Sequence, residues 1–210
     1  HEIRNPLGII RSTAELMGSM STGNESQAKL SGLIVEESSR LNDIVTEFLD
    51  FARPQEPHFQ DCDLDEILDK NIQFLQMALE TKKILLRDNL PHRPLPLRAD
   101  PQLLYRSFLN IFMNAIQAME NAGTLSVSVS EEKDLYRVVI EDDGDGIREK
   151  DLKKIFDPFF STKDKGSGLG LSIVRNIIEG HQGRIWIESR HKESIAQKTG
   201  TRVFIQLPKG

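Results

Sequence analysis

The first 53 residues carry apolar side chains at alternating steps of three and four, a spacing that places them along one stripe of a helix. The first stripe consists of Ile3, Leu7, Ile10, Ala14 and Met17. The second, interrupted at Glu37, consists of Leu30, Ile34, Leu41, Ile44, Phe48 and Phe51. Between them, residues 18–26 (GSMSTGNES) have the Gly, Asn and Ser content of a connecting loop. Residues 1–53 are therefore predicted to form an antiparallel helical hairpin.

A hairpin of two helices has an apolar stripe on each member but too little mass to cover both stripes. Pairing of two identical hairpins in a dimeric four-helix bundle covers them, and we therefore predict a homodimer. The alternative is that the hairpin packs against the remainder of its own chain.

Pro54 and Pro57 end the second helix and indicate a linker over residues 54–62. Residues 63–210 then mix helices with strands that are mainly joined as hairpins, which indicates an α+β fold built as an α/β sandwich. Asp100 followed by Pro101 provides an N-cap and a first-turn proline. Helices are predicted at 64–79, 101–121 and 169–179, and strands at 84–86, 125–129, 136–141, 184–188 and 201–207.

Composition excludes several classes of function. The chain has 32 acidic and 27 basic residues, a net charge of -5, which argues against a nucleic-acid binder held by phosphate contacts. The single Cys62 cannot form an internal disulfide, which fits a reducing compartment, and the five His residues lack a metal-ligand spacing such as HExxH. No apolar run approaches the ~18 residues of a membrane span, so we expect this chain to be soluble and cytoplasmic.

Two asparagines, Asn110 and Asn114, lie four residues apart on a predicted helix and therefore share one face. Two amides at one depth can supply carbonyl oxygens to a hard cation such as Mg²⁺ and leave NH₂ groups for phosphate. The alternative is that both are satisfied polar contacts of an apolar helix.

The strand over residues 138–142 ends in the sequence DDGDGI, which contains Asp142, Gly144, Gly146 and Ile147. A carboxylate at a strand end can accept a hydrogen bond from a planar NH₂ group such as that of adenine, and glycines let backbone approach a flat ring closely. Asp-Gly pairs also mark plain turns, so this block alone leaves both interpretations open.

An aromatic cluster, residues 156–160 (FDPFF), precedes a segment rich in Ser, Lys and Gly that ends in GSGLGL at the start of a helix. Backbone N–H groups and the positive dipole end at such a helix start can bind phosphate. The pattern is neither GxxxxGK[ST] nor a GxGxxG that follows a strand, which disfavours those nucleotide folds. We interpret residues 161–168 as a mobile flap with the aromatic cluster as its anchor.

Together and in this order, the blocks resemble the ATP-binding domain of sensor histidine kinases and of the superfamily shared with DNA gyrase B, the Hsp90 chaperones and MutL, over residues 60–208. The resemblance implies ATP with Mg²⁺, Asn114 as the metal ligand, Asp142 on the adenine amino group, and residues 166–170 around the phosphates. It also implies that Thr201 assists near adenine. The other residues implied at the nucleotide are Asn110, Gly144, Gly146, Ile147, Phe159, Lys163, Gly166, Gly168, Leu169, Gly170 and Leu171.

The N-terminal sequence HEIRNP resembles the phosphorylated-histidine box of histidine kinases, which lies in their dimerisation and phosphotransfer domain. A neutral imidazole is a competent nucleophile near pH 7. The resemblance implies that His1 receives the phosphoryl group and that Glu2 orients its ring. It further implies that Asn5, on the same helical face as His1, orients the water or aspartate when the phosphoryl group leaves.

Two features depart from the family pattern. The family helix begins two or three turns before its histidine, so we expect this chain to be part of a longer sensor, and membrane anchoring of that full-length protein stays an open alternative. Where many relatives carry Lys three residues after the second asparagine, this chain has Gln117, so Lys163 or Lys165 is the candidate for phosphate charge.

The predicted function is that of a sensor histidine kinase, which is phosphorylated by ATP on His1 and passes the phosphoryl group to an aspartate of a response regulator. Phosphatase activity toward the regulator is possible with the same residues. HEIRNP and residues 48–54 (FLDFARP) resemble the nitrogen-regulation sensors most. The alternatives are a conformational ATPase of the chaperone or mismatch-repair type and a non-catalytic or phosphatase-dominant sensor.

Overall fold

A computed structural model describes residues 4–19, 25–52, 56–163, 166–192 and 199–209, with the side chains of residues 4–6 excepted. It divides the chain into two units, His1–Arg53 and Pro54–Gly210. Across these described ranges, the structure contains no helix with the length and apolar character needed to cross a bilayer.

The first unit is a pair of helices, α1 (Arg4–Ser19) and α2 (Glu25–Ala52). Ser38 Oγ donates a hydrogen bond of 2.7 Å to the Leu7 carbonyl, and a Cβ placed on Gly18 would lie 3.3 Å from Ser31 Cβ. Since Leu7 pairs with Ser38 while the later Gly18 pairs with the earlier Ser31, the helices run antiparallel. The helical hairpin predicted from the apolar spacing is confirmed.

The second unit contains seven strands and four helices among its described residues. The strands are β1 (Gln60–Asp63), β2 (Ile84–Asn89), β3 (Pro96–Ala99), β4 (Gly123–Glu131), β5 (Leu135–Asp142), β6 (Arg184–Arg190) and β7 (Gly200–Pro208). The helices are α3 (Leu64–Thr81), α4 (Pro101–Ala118), α5 (Glu149–Leu152) and α6 (Gly170–Gly180).

Five strands form one sheet in the order β2-β4-β5-β7-β6. β2 pairs with β4 in parallel, whereas the other three pairings are antiparallel. A parallel pair needs a long crossover, and α4 lies within the connection between β2 and β4. β1 and β3 form a separate antiparallel pair. The predicted α+β architecture is confirmed.

One face of the sheet forms the core with α3, α4 and α6. Along β5 every second residue is buried, and β7 follows the same alternation, as expected for a sheet with one covered face. These positions join one apolar cluster with residues of the three helices, including Leu68, Phe108, Phe112, Val174 and Ile178. The alternation decides which side of β5 its last residue, Asp142, faces.

Helix α4, which carries the two asparagines, is fixed at both ends. The Asp100 carboxylate accepts hydrogen bonds from the N–H groups of Gln102 and Leu103, each 3.0 Å, and Pro101 occupies the first turn, as predicted. At the other end the Lys82 ammonium donates to the carbonyls of Ile116 and Met119, at 2.9 and 3.0 Å. A cation there also matches the negative end of the helix dipole.

The structure differs from the sequence prediction at the start of the second unit. β1 begins at Gln60, within the range predicted as a linker, because its residues pair with β3, a strand that the sequence analysis missed. The backbone N–H of His58 also donates to Asp100 at 3.0 Å, so chain in the predicted linker already contacts α4. Helix α4 ends at Ala118 rather than Asn121, and the short α5 was not predicted.

Candidate functional site

The asparagine pair of α4 is ordered by its own hydrogen bond. Asn114 Nδ2 donates to Asn110 Oδ1 at 2.9 Å, as the spacing of four residues permits. Because this bond uses the NH₂ group of Asn114, its oxygen is directed to other donors. The two amides are therefore adjacent, as predicted, and the Asn114 oxygen is left to accept from other partners.

Asp142 ends β5 on the core-facing side of the strand and is buried. Its carboxylate accepts hydrogen bonds from the N–H of Gly144, at 3.0 Å, and from the N–H of Thr201. Burial raises the pKa of Asp142 to about 6, although the two hydrogen bonds lower it in part and the charge of Asp143 adds to the increase. A carboxylate has about four acceptor positions, so capacity remains for an exocyclic amino group.

Thr201 lies opposite Asp142 in the pairing of β7 with β5 and is also buried. The Oγ1 of Thr201 is 2.9 Å from Ser189 Oγ, and that hydroxyl also accepts the N–H of Ile147 at 2.8 Å. Ser189 of β6 therefore connects Thr201 with the glycine-containing loop that follows β5, residues 143–147. The structure thus brings Asp142, Thr201 and Ile147 to one end of the sheet.

The loop after β5 contacts the end of α4, because the Asp145 N–H donates to the Ala118 carbonyl at 3.2 Å. The start of α6 approaches the other end of the asparagine pair. A Cβ placed on Gly170 would lie 2.7 Å from Asn110 Nδ2, so a larger residue here would displace the Asn110 amide. Leu169 holds the N-cap position without a side-chain hydrogen bond, which leaves the first N–H groups of α6 to bind an anion.

Lys163 reaches the asparagine pair from the segment after the aromatic cluster. Its Nζ donates to Asn114 Oδ1 at 3.0 Å and to Gln117 Oε1 at 2.6 Å. Loss of hydration lowers the pKa of Lys163, the charge of Asp142 raises it in part, and Lys82 lowers it further. A cation therefore lies against the amide oxygens of α4.

These residues fit the metal that the resemblance implies. Asn114 Oδ1 already accepts a hydrogen bond from the Lys163 ammonium, which occupies the place that a metal cation would take. Amide oxygens are among the hard ligands that Mg²⁺ accepts. Gln117 supplies a second amide oxygen three residues along the same helical face.

Other predicted site residues take different positions. Phe159 is 61% exposed and has a φ of 65°, an uncommon conformation for an aromatic residue, and its backbone lies against Gly168, which has a φ of 72°. Gly166 N–H donates to the Lys163 carbonyl at 3.3 Å, and Leu171 is half-buried in the first turn of α6. His1, Glu2, Lys165 and the side chain of Asn5 lie outside the described residues.

Sequence reasoning missed the contribution of two residues to this site. Gln117 was noted only for the absence of a lysine, although its position three residues after Asn114 places it on the same helical face. Ser189 had no sequence signal, because its contact with Thr201 depends on the pairing of β6 with β7.

A buried strand-end carboxylate opposite a helix that presents amide oxygens is an arrangement that suits an adenine nucleotide. Residues 99–210 match the family described as histidine kinase-, DNA gyrase B- and HSP90-like ATPase, and the chain belongs to this family. Residues 1–57 match the His Kinase A (phospho-acceptor) domain. These two domains, in this order, make up the catalytic core of histidine kinases, which confirms the predicted resemblance.

Curated relatives agree with this assignment. Sensor histidine kinase ZraS of Escherichia coli O157:H7 is 35% identical over 212 residues, which cover 99% of this chain and 44% of that protein. Sporulation kinase A of Bacillus subtilis (strain 168) is 34% identical over 210 residues, which cover 100% of this chain and 33% of that protein. The chain therefore spans less than half the length of these curated relatives.

Solved structures share the fold. Full-length ShkA in complex with AMPPNP has a TM-score of 0.83 over 99% of this chain and 44% of its own, and its 22% identity limits this similarity to the fold. Histidine kinase ThkA, solved in complex with the response regulator protein TrrA, is 30% identical with a TM-score of 0.74 and covers 100% of this chain and 59% of its own.

Proposed function

We propose that the chain is the catalytic core of a sensor histidine kinase, which transfers the γ-phosphoryl group of ATP to His1 and then to an aspartate of a response regulator. The observation that supports this most is the succession of a phospho-acceptor domain and a nucleotide site in one chain. A histidine kinase carries its own phosphoryl acceptor, whereas a conformational ATPase does not need one.

In this proposal the nucleotide is bound by three groups of the second unit. Asp142 accepts a hydrogen bond from the adenine amino group, and the N–H groups at the start of α6, together with Lys163, bind the phosphates. Asn114 is the residue that would hold Mg²⁺, with Asn110 fixing its amide. When bound, Mg²⁺ neutralises charge on the phosphates.

His1 acts as the nucleophile. A ring nitrogen attacks the γ-phosphorus, an N–P bond forms, the bond from phosphorus to the bridging oxygen breaks, and ADP leaves. Glu2 accepts a hydrogen bond from the other ring nitrogen, which fixes the tautomer and stabilises the positive charge that develops on the ring. Both roles are transferred from the family pattern onto HEIRNP.

The second transfer passes the phosphoryl group from His1 to a carboxylate of the response regulator, where an O–P bond replaces the N–P bond. The regulator complex of the relative ThkA supports this class of partner. Asn5 orients the attacking aspartate, and it orients a water molecule if the chain also dephosphorylates its regulator.

We also propose that two chains associate through their hairpins. Ala14 is the only apolar residue that is fully buried among the described residues of α1 and α2. Several apolar residues of both helices are more than two-fifths exposed, among them Ile10, Leu16, Leu30, Leu33, Ile34 and Leu41. A second hairpin would cover them in a four-helix bundle.

We further infer from HEIRNP and FLDFARP that the chain is most similar to nitrogen-regulation sensors. The curated relatives described above carry other names, so this assignment stays a prediction.

The kinase proposal is tested by labelling the chain with ATP that is radioactive at the γ-phosphate. We expect a label that is lost in acid and stable in alkali, as phosphohistidine is, and its loss in His1→Ala. Asn114→Ala should reduce labelling at least tenfold, because it removes the amide oxygen that would hold the metal.

Two matched controls accompany this experiment. His92→Ala and Asn121→Ala change exposed residues and should label like the wild type. A full-length wild-type protein that binds ATP but acquires no label would contradict the kinase assignment and favour a conformational ATPase.

A further inference from the structure

The Lys163 ammonium is held by neutral oxygens. Its two hydrogen-bond acceptors, Asn114 Oδ1 at 3.0 Å and Gln117 Oε1 at 2.6 Å, are both amide groups on one face of α4. Within the ranges that the structure describes, Lys163 forms no ion pair with a carboxylate. Its positive charge is therefore oriented without being neutralised by a contacting anion, and it remains available to phosphate.

The direction of each hydrogen bond in this cluster is fixed. Asn110 Oδ1 accepts from Asn114 Nδ2, so Asn114 must present its oxygen to the third partner, and Lys163 can only donate. Gln117 likewise presents its oxygen to Lys163. Of the two acceptors of Lys163, Asn114 is the residue that the family resemblance assigns to the metal, whereas the resemblance assigns no metal role to Gln117.

We propose that Gln117 is a positioning residue for Lys163. In the protein without nucleotide, Gln117 and Asn114 together hold the Lys163 ammonium at the nucleotide site. When Asn114 binds metal instead, Gln117 keeps the ammonium beside the phosphates. This inference rests on the proposed nucleotide site. Where many relatives carry a lysine on the helix itself, this chain has Gln117, and a positioning role for Gln117 explains why a lysine from residues 161–168 reaches α4 instead.

A double-mutant cycle tests whether Gln117 acts through Lys163. The variants are Gln117→Leu, Lys163→Met and the combination, and the readout is the affinity for a ribose-labelled fluorescent ADP with Mg²⁺. A hydrogen bond to a charged group is worth about tenfold in affinity, so Gln117→Leu should weaken binding about tenfold when Lys163 is present. In the Lys163→Met background the same change should matter less than about twofold.

A second readout observes the ammonium itself. In nucleotide-free protein labelled with ¹⁵N-lysine, Lys163 should give an ammonium resonance, identified by its loss in Lys163→Met. Gln117→Leu should remove this signal through exchange with water, whereas Gln102→Leu, an exposed position in the first turn of the same helix, should leave it unchanged. Fluorescence of Trp186 checks folding, and Gln117→Met replaces the leucine variant if that one does not fold.

The outcomes separate the two proposals. Equal losses from Gln117→Leu in both backgrounds, no loss in either, or an ammonium signal that survives in Gln117→Leu would overturn the positioning role while leaving the nucleotide site intact. A wild-type chain that binds no fluorescent ADP would overturn the proposed function itself.

Discussion

At the level of single residues, the chemistry of Asp142 follows from where β5 ends. The alternation that buries Val138 and Ile140 also directs Asp142 toward the helices, and this parity can be predicted from the sequence. Its raised pKa could not be predicted, because it depends on how completely the packed helices exclude water. The sequence thus predicts the position of this carboxylate but not its ionisation.

The pKa of Asp142 leads to a prediction about stability and pH. Folding raises this pKa from 3.8 to about 6, so the folded state favours the protonated form. The resulting stabilisation amounts to about 3 kcal/mol. It is fully present below about pH 4 and is lost as the pH rises through 6. The free energy of unfolding of the wild type, minus that of Asp142→Asn, should therefore decrease by about 2–3 kcal/mol between pH 4 and pH 7.

Urea unfolding followed by the fluorescence of Trp186 measures this difference, because the only tryptophan lies in β6 of the same unit. Asp134→Asn, an exposed change in the turn between β4 and β5, serves as the control and should follow the wild type at each pH. A wild-type-minus-variant difference that does not change with pH would show that the burial of Asp142 has no effect on its titration.

At the level of elements, His181 joins the helices that form the nucleotide site. Its ring, buried after α6, accepts the Asp100 N–H on Nε2 at 2.9 Å and donates from Nδ1 to the Ile177 carbonyl at 2.8 Å. Because a backbone N–H can only donate, the neutral ring must carry its proton on Nδ1. Phe59 packs against the same ring, with centroids 5.3 Å apart. The N-terminus of α4 is thereby attached to the C-terminus of α6.

Replacing His181 by Phe keeps an aromatic ring for Phe59 but removes both hydrogen bonds. We expect the unfolding free energy of the second unit to decrease by about 1–3 kcal/mol, since the buried Asp100 N–H loses its acceptor. Urea unfolding monitored at Trp186 gives the value. The control, His58→Phe, alters an exposed side chain and should have little effect. Equal stability of His181→Phe and the wild type would show that this N–H finds another acceptor.

Elements with strong local signals could be predicted, whereas those that depend on distant partners could not. The N-cap at Asp100 and the hairpin of β4 and β5 follow from nearby residues. β1 and β3 are four-residue strands with little periodicity, and they exist because they pair with each other across 35 residues, as at Cys62 and Leu97. Likewise, the contact of Lys163 with Gln117 joins residues 46 positions apart and has no local signal.

At the scale of the whole molecule, the two units differ in how well they cover their apolar residues. The second unit encloses a continuous core between its helices and one sheet face. The first leaves Leu30 at 61% and Leu33 at 52% exposure, although the predicted hairpin itself is present. The sequence indicated this imbalance because both apolar stripes were visible, whereas the identity of the covering surface requires measurement.

We expect light scattering to give about twice the chain mass of 23.8 kDa at micromolar concentration. Leu30→Asp places a charge on the exposed stripe of α2 and should shift the protein to a monomer, because an unpaired charge is costly to bury. The matched control is Phe74→Asp, since Phe74 is 64% exposed but lies in the second unit. A wild-type protein that remains monomeric, or a Leu30→Asp variant that remains dimeric, would contradict association through the hairpin.

The sheet order also bears on how the protein behaves at high concentration. β6 lies at an edge of the five-stranded sheet, where open backbone groups could recruit a strand from another molecule. Three of its seven residues are charged, namely Arg184, Glu188 and Arg190, and the Arg184 guanidinium lies 5.7 Å above the ring of Trp186. Charge along an edge opposes strand addition, so β6 is protected against the edge-to-edge stacking that leads to aggregates and fibrils.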